Sequence, residues 1–109
     1  MTRLWSYKDP RWERIDMNGF EVAARDGAAG RVGERGCEYL VLRTGPWIFR
    51  RTAVVPAGLV EHVDRDEEIV YVRVTREEIR SAPEPEAAID DAGLKHLLSD
   101  HYRNAIPAG

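Results

Sequence analysis

Apolar and polar positions alternate over short runs through most of the chain and switch to a helical spacing near its end. Val70, Val72 and Val74 alternate with Ile69, Tyr71 and Arg73, a period of two that sends each set to one face of a strand. Leu59 to Val63 has strand character before the acidic turn Asp64-Arg65-Asp66-Glu67-Glu68. Phe20 to Ala24 and Arg31 to Glu34 flank Asp26-Gly27-Ala28-Ala29-Gly30, whose glycines suit the positive backbone dihedrals of a hairpin loop. Glu38 to Arg43 contains the continuous apolar run Tyr39-Leu40-Val41-Leu42, too short for a helix and bounded by Gly36 and Thr44-Gly45-Pro46, which predicts a strand buried on both faces. Trp47-Ile48-Phe49 and Thr52-Ala53-Val54-Val55 read as one long or broken strand, ended by Pro56-Ala57-Gly58.

The period then changes. Thr75-Arg76-Glu77-Glu78 has the form of a capping box and predicts a short helix to about Ser81, stopped by Pro83. Pro83-Glu84-Pro85-Glu86 is stiff and polar and reads as a linker that does not pack. Asp90 or Asp91 can cap a last helix in which Leu94, Leu97, Leu98, His101 and Tyr102 form one apolar stripe. That stripe must dock on the same chain or on a second copy. Six or so short strands joined by Gly and Pro turns describe a mainly β fold, a small barrel or sandwich with peripheral helices.

Composition narrows this further. With 109 residues there is room for one small core, and no apolar run approaches the roughly 18 residues of a membrane span. Arg3, Lys8 and Asp9 stand where a signal peptide is apolar, so a cytoplasmic location is expected. A single cysteine, Cys37, rules out an intrachain disulfide and a cysteine-built zinc site. The net charge of −3 hides a split: residues 1–54 carry ten Lys and Arg against seven Asp and Glu, and residues 55–109 carry six against twelve. In a one-domain fold the halves interleave, so the split need not make two molecular faces.

The hairpin Gly19 to Val32, the strand Tyr39-Leu40-Val41-Leu42 with Thr44-Gly45, and Trp47-Ile48-Phe49-Arg50-Arg51 leading to Val55-Pro56 resemble the PRC-barrel family. So does the ending, Val70-Tyr71-Val72 followed by Thr75-Arg76-Glu77-Glu78-Ile79 and Ala82-Pro83. The similarity divides the chain into an aromatic N-terminal arm (1–14), a PRC-type β-barrel of about six short strands with a short helix after the last (15–84), and an acidic linker with a C-terminal amphipathic helix (85–109). Leu4-Trp5-Ser6-Tyr7 and the aspartate-rich end look like the short stand-alone actinobacterial members. The resemblance implies an adaptor or assembly module with no shared catalytic motif, hence no active-site residues to transfer. Photosynthetic reaction-centre and ribosome-maturation relatives exist, but the former carry a membrane-spanning helix that this chain lacks.

Candidate chemistry is sparse. His96 and His101 lie five apart, roughly 140° around a helix, too divergent to share an ion with Asp90, Asp91 or Asp100, and His62 sits on a strand. Cys37 has no histidine among its neighbours in sequence to activate it. Gly27, Gly30 and Gly33 are spaced G-x-x-G-x-x-G with no helix following, which does not match a dinucleotide fingerprint. The acidic pairs at 66–68, 77–78 and 90–91 are explained by a solvated turn, a helix start and a cap. Aromatic and arginine side chains remain: Trp5, Tyr7 and Trp12 in the arm, and Trp47, Arg50 and Arg51 in the chain centre, are the candidate partner-binding residues.

The expectation is therefore a non-enzymatic, cofactor-free and metal-free cytoplasmic module working by protein association. Self-association into a homo-oligomer, most simply a dimer, follows because arm and last helix both need covering. The alternative is a ribosome- or RNA-associated assembly factor using Arg43, Arg50 and Arg51, against which the acidic charge argues. A small enzyme is a remote third reading.

Overall fold

The computed structural model describes residues 4–35, 38–44, 51–85 and 90–105. Cys37, Trp47, Ile48, Phe49, Arg50 and Glu86 lie outside the described residues. Among the described residues there are six strands: β1 (Glu21–Ala24), β2 (Gly27–Arg35), β3 (Tyr39–Thr44), β4 (Arg51–Pro56), β5 (Val60–Asp64) and β6 (Ile69–Val72). Two helices follow, α1 (Arg76–Arg80) and α2 (Asp91–His101), with 3₁₀ turns at Pro10–Arg14, Ala57–Leu59 and Arg103–Ala105. The strands form one mixed sheet in the order β4-β3-β2-β1-β6-β5, antiparallel except for the parallel pair β1 and β6.

The expected closed barrel is replaced by an open sheet, because β4 and β5 are its two edges and do not pair among the described residues. The sheet must nevertheless curl. A flat sheet of this order would hold β4 and β5 roughly 24 Å apart, at about 4.8 Å per strand. Only the three buried residues Ala57–Leu59 join them, and so short a link reaches about 14 Å. Curling encloses a core of Val22, Val32, Leu40, Leu42, Val54, Val55, Leu59, Val70 and Val72, joined by Leu4, Tyr7 and Met17 from the arm side and Ile79, Leu98 and Tyr102 from the helices.

The first hairpin is tighter than its glycines imply. The turn is Arg25-Asp26, and Gly27-Ala28-Ala29-Gly30 opens β2 instead of forming a loop: Gly27 pairs with Ala24 and Ala28 with Ala23. Val22 pairs with Gly30, so Ala29 is the extra residue of a bulge, and the positive φ of 150° at Gly30 serves that bulge. A Cβ on Gly30 would stand 2.4 Å from the Arg43 carbonyl oxygen, which shows how closely β3 passes. On β3, Leu40 and Leu42 are buried while Tyr39 and Val41 are half-buried, so burial on both faces holds only in part.

The helices are fixed by their own caps. Glu78 N–H donates to the Thr75 hydroxyl oxygen at 3.1 Å, and Thr75 N–H donates to Glu78 Oε1 at 3.0 Å. Asp26 reaches across from the β1–β2 turn and accepts from Arg76 N–H at 2.8 Å, satisfying another orphan donor of α1. At α2, Asp90 is the N-cap, accepting from Gly93 N–H at 2.7 Å. The apolar stripe of α2 is narrower than its spacing implies: Leu94, Leu98 and Tyr102 are buried, but Leu97 is 37% exposed. The linker packs where none was expected. Ala82 is buried, Pro83, Glu84 and Pro85 are half-buried, and Arg51 Nε donates to Glu84 Oε1 at 3.0 Å, tying the segment to β4.

Both sheet edges are occupied or broken. The Ala57 N–H bond to Glu38 O, 2.9 Å, sets the phase of the β3–β4 ladder, so Thr52, Val54 and Pro56 turn their main-chain groups outward. Pro56 has no N–H to offer there, and the Tyr102 hydroxyl donates to Val54 O at 3.4 Å. On β5 a register shift between Val60 and His62 leaves Glu61 in a bulge, ion-paired with Lys8 at 2.5 Å and Arg73 at 3.6 Å.

Candidate interaction surface

The N-terminal arm is held by its own sheet. Gly58 N–H donates to Leu4 O at 2.7 Å, and Leu4 and Tyr7 are buried. Trp5 lies edge-on to Tyr39 with ring centroids 6.4 Å apart, and Lys95 of α2 sits 5.6 Å above the Trp5 ring while donating to Glu38 Oε2 at 2.6 Å. That bond to Glu38 holds the Lys95 ammonium above its ordinary range. Arm and last helix, the two elements expected to need an outside cover, thus meet each other at Trp5 and Lys95. Asp9 caps the 3₁₀ turn that carries the half-buried Trp12, and the Arg11 guanidinium beside it keeps its carboxyl below the usual range.

Among the described residues, two of the predicted contact residues, Trp5 and Arg51, stand at opposite ends of β4. Tyr7 belongs to the core, and Trp5 packs near the Pro56 end of the β3–β4 ladder, where Tyr39 faces Pro56. Arg51 stands at the other end of β4, roughly 17 Å away at about 3.3 Å per residue. Trp47 and Arg50 lie outside the described residues.

The histidines also stay apart. His101 Nε2 is 2.6 Å from the Glu78 carbonyl, linking α2 to α1, while exposed His96 lies 3.8 Å from Asp100. Among the described residues no group of three or more His, Cys, Asp or Glu is placed to hold a metal ion, and no helix is long and apolar enough to cross a membrane.

What the strand alternation did not single out is a surface on the outer side of β1, β6 and β5. Burial of Val70 and Val72 turns Ile69, Tyr71 and Arg73 outward, and burial of Val22 and Ala24 does the same for Glu21, Ala23 and Arg25. Tyr71 is 39% exposed and lies against His62 of β5, with ring centroids 6.0 Å apart and planes tilted by 30°. The exposed acidic turn 65–68 borders one end of this surface, and Arg73, Lys8 and Glu61 border the other. The available signal was Tyr71 itself, a large aromatic on the polar phase of an otherwise regular alternation.

A cleft of about 450 Å³ opens at the Arg73 end, lined by Arg25, Glu61, Val72, Arg73, Glu78 and the 3₁₀ turn residues Asn104 and Ala105. Arg25 N–H donates to Val74 O at 2.9 Å, which keeps the turn after β1 against the chain after β6, two residues out of the register of the pairs before it. No family model matches the chain, and no curated protein matches it.

Proposed function

We propose that this chain is a non-catalytic association module of the PRC-barrel type, whose resemblance lies in the residues quoted above, and that it pairs with a second copy through the outer face of β1, β6 and β5. The observation that carries the reading is the order of groups along that face. An exposed Tyr71–His62 pair lies midway between an acidic turn and a cationic end, so the face is self-complementary about a twofold axis through Tyr71. Aromatic side chains at the centre with charge at the rim match the anatomy of interface hot spots. Trp5 of the arm and Lys95 of α2 play no part in this pairing, because they are packed on their own chain.

Sedimentation equilibrium tests the reading. The chain should be dimeric at tens of micromolar, high salt should weaken the dimer because its rim is charged, and Tyr71→Asp should give a monomer with an unchanged melting temperature. A monomer at all concentrations, or a dimer indifferent to Tyr71→Asp, overturns it. Co-sedimentation with ribosomal particles that is lost in Arg43→Gln would favour the RNA-associated reading instead.

A further inference from the structure

The register of the sheet decides which groups meet when two such faces join. His62 pairs with Tyr71, Tyr71 with Ala23 and Ala23 with Ala28, so these four residues form one row across β5, β6, β1 and β2. Along the strands this row stands between the acidic turn 65–68 and the end that carries Arg73 and Lys8. Two faces packed on each other are exchanged by a twofold axis lying between them, and an axis along this row lays the acidic turn of one copy over the cationic end of the other. Each residue of the row then faces its own copy, His62 included. His62 is exposed, and among the described residues no hydrogen bond or ion pair engages its ring, which lies against Tyr71 with centroids 6.0 Å apart. The charged groups around it have other partners: Glu61 on β5 holds Lys8 of the arm and Arg73 of β6, and Asp64 accepts from the Glu67 N–H of the turn. Arg65, Asp66, Glu67 and Glu68 lie beyond Asp64, exposed to water.

We infer that His62 makes the pairing of two copies pH-dependent, holding them together while its ring is neutral and separating them once it is protonated, an inference that rests on the association reading above. Histidine is the side chain that gains its charge between pH 8 and pH 5. Neutral imidazoles can stack beside the two Tyr71 rings at the axis, whereas two imidazolium ions meet there as like charges. The carboxylates of β5 and the turn do not cancel this, because each chain keeps its own in the monomer and in the dimer alike. What association adds at His62 is the second cation. The monomer therefore binds protons better than the dimer does, and by linkage the dimer is favoured at pH 8 and weakened at pH 6. Repulsion of two unit charges in a partly desolvated interface is enough to raise the dissociation constant about tenfold or more.

Sedimentation equilibrium of the full chain at pH 8 and pH 6, at one ionic strength, reads the ratio of the two dissociation constants. The ratio should be about ten or more for the native sequence. His62→Gln, which carries no charge at either pH, should bring the ratio close to one whatever its affinity at pH 8. His62→Lys, charged at both, should dimerise weakly at both. His96→Gln, on the exposed side of α2, should keep the native ratio. Absence of a dimer at pH 8 overturns the association reading and this inference with it. A native dimer with the same constant at both pH values, a pH dependence that survives His62→Gln, or tight pairing of His62→Lys overturns this inference alone.

Discussion

The hydroxyl of Tyr102, at the end of α2, donates to the main-chain oxygen of Val54 on the outer edge of β4. One side chain from the last helix thereby satisfies a carbonyl that no neighbouring strand can reach, and its ring fills the core below. The bond is long at 3.4 Å, so its own share is small. Tyr102→Phe should cost about 0.5–1 kcal/mol. Tyr102→Ala, which also empties the ring's volume, should cost about 3–5 kcal/mol. Urea unfolding with an unchanged m-value would check both.

The same burial makes the fold sensitive to alkali. Desolvation, aided by the negative charge of Glu78, pushes the Tyr102 hydroxyl above the ordinary tyrosine range. The folded state therefore keeps a proton that the unfolded state loses near pH 10, and stability from this group is complete below that pH and is lost as pH rises through it. Tyr102→Phe should flatten the fall in unfolding free energy above pH 10. Equal alkaline slopes for the two chains would show that another group governs it.

Two glycines with positive φ should respond differently to alanine. Gly19, at φ 85°, has open space around the missing Cβ, so Gly19→Ala should cost only its backbone strain, about 1–2 kcal/mol. Gly30→Ala adds a collision with the Arg43 carbonyl oxygen, which belongs to the backbone of β3 and cannot rotate away. Thermal unfolding should rank Gly30→Ala well below Gly19→Ala.

The apolar residues of the arm should contribute to stability and not to assembly. Leu4 is 1% exposed, and Leu4→Ala should cost about 2–5 kcal/mol. Deleting residues 1–7, which spares Lys8 at the rim of the dimer face, should lower the melting temperature further and leave the dimer of the folded fraction intact. A chain that keeps its melting temperature but becomes monomeric on deletion would place the interface on the arm.

The parts of this fold that were legible in the sequence are those set by neighbours in the chain. Thr75 and Glu78 are three residues apart, and their capping box is where the pattern placed it. The alternation of Ile69 to Val74 correctly assigned faces. Gly27 to Gly30 misled because glycine serves a loop and a bulge equally well, and only pairing with Ala23 and Val22 decides between them. The Pro-Glu linker misled because its polarity is matched by Arg51, more than thirty positions earlier in sequence. The open sheet depends on whether β4 meets β5, which no local pattern encodes. The cleft was invisible for the same reason: Arg25, Arg73 and Asn104 are far apart in sequence and line one cleft only in the folded chain.

That parallel pairing also sets the order in which the protein can be made. β1 emerges early from a ribosome, but its partner β6 follows only after β2 to β5 and two turns have been synthesised. Until Ile69 to Val72 are out, Val22 and the rest of β1 keep one flank unpaired, and β5 has no strand to join. Closing so long a loop is slow compared with forming the hairpins. Refolding should therefore wait on the β1–β6 contact, and a nascent chain stalled before Ile69 should remain sensitive to protease throughout the residues already made.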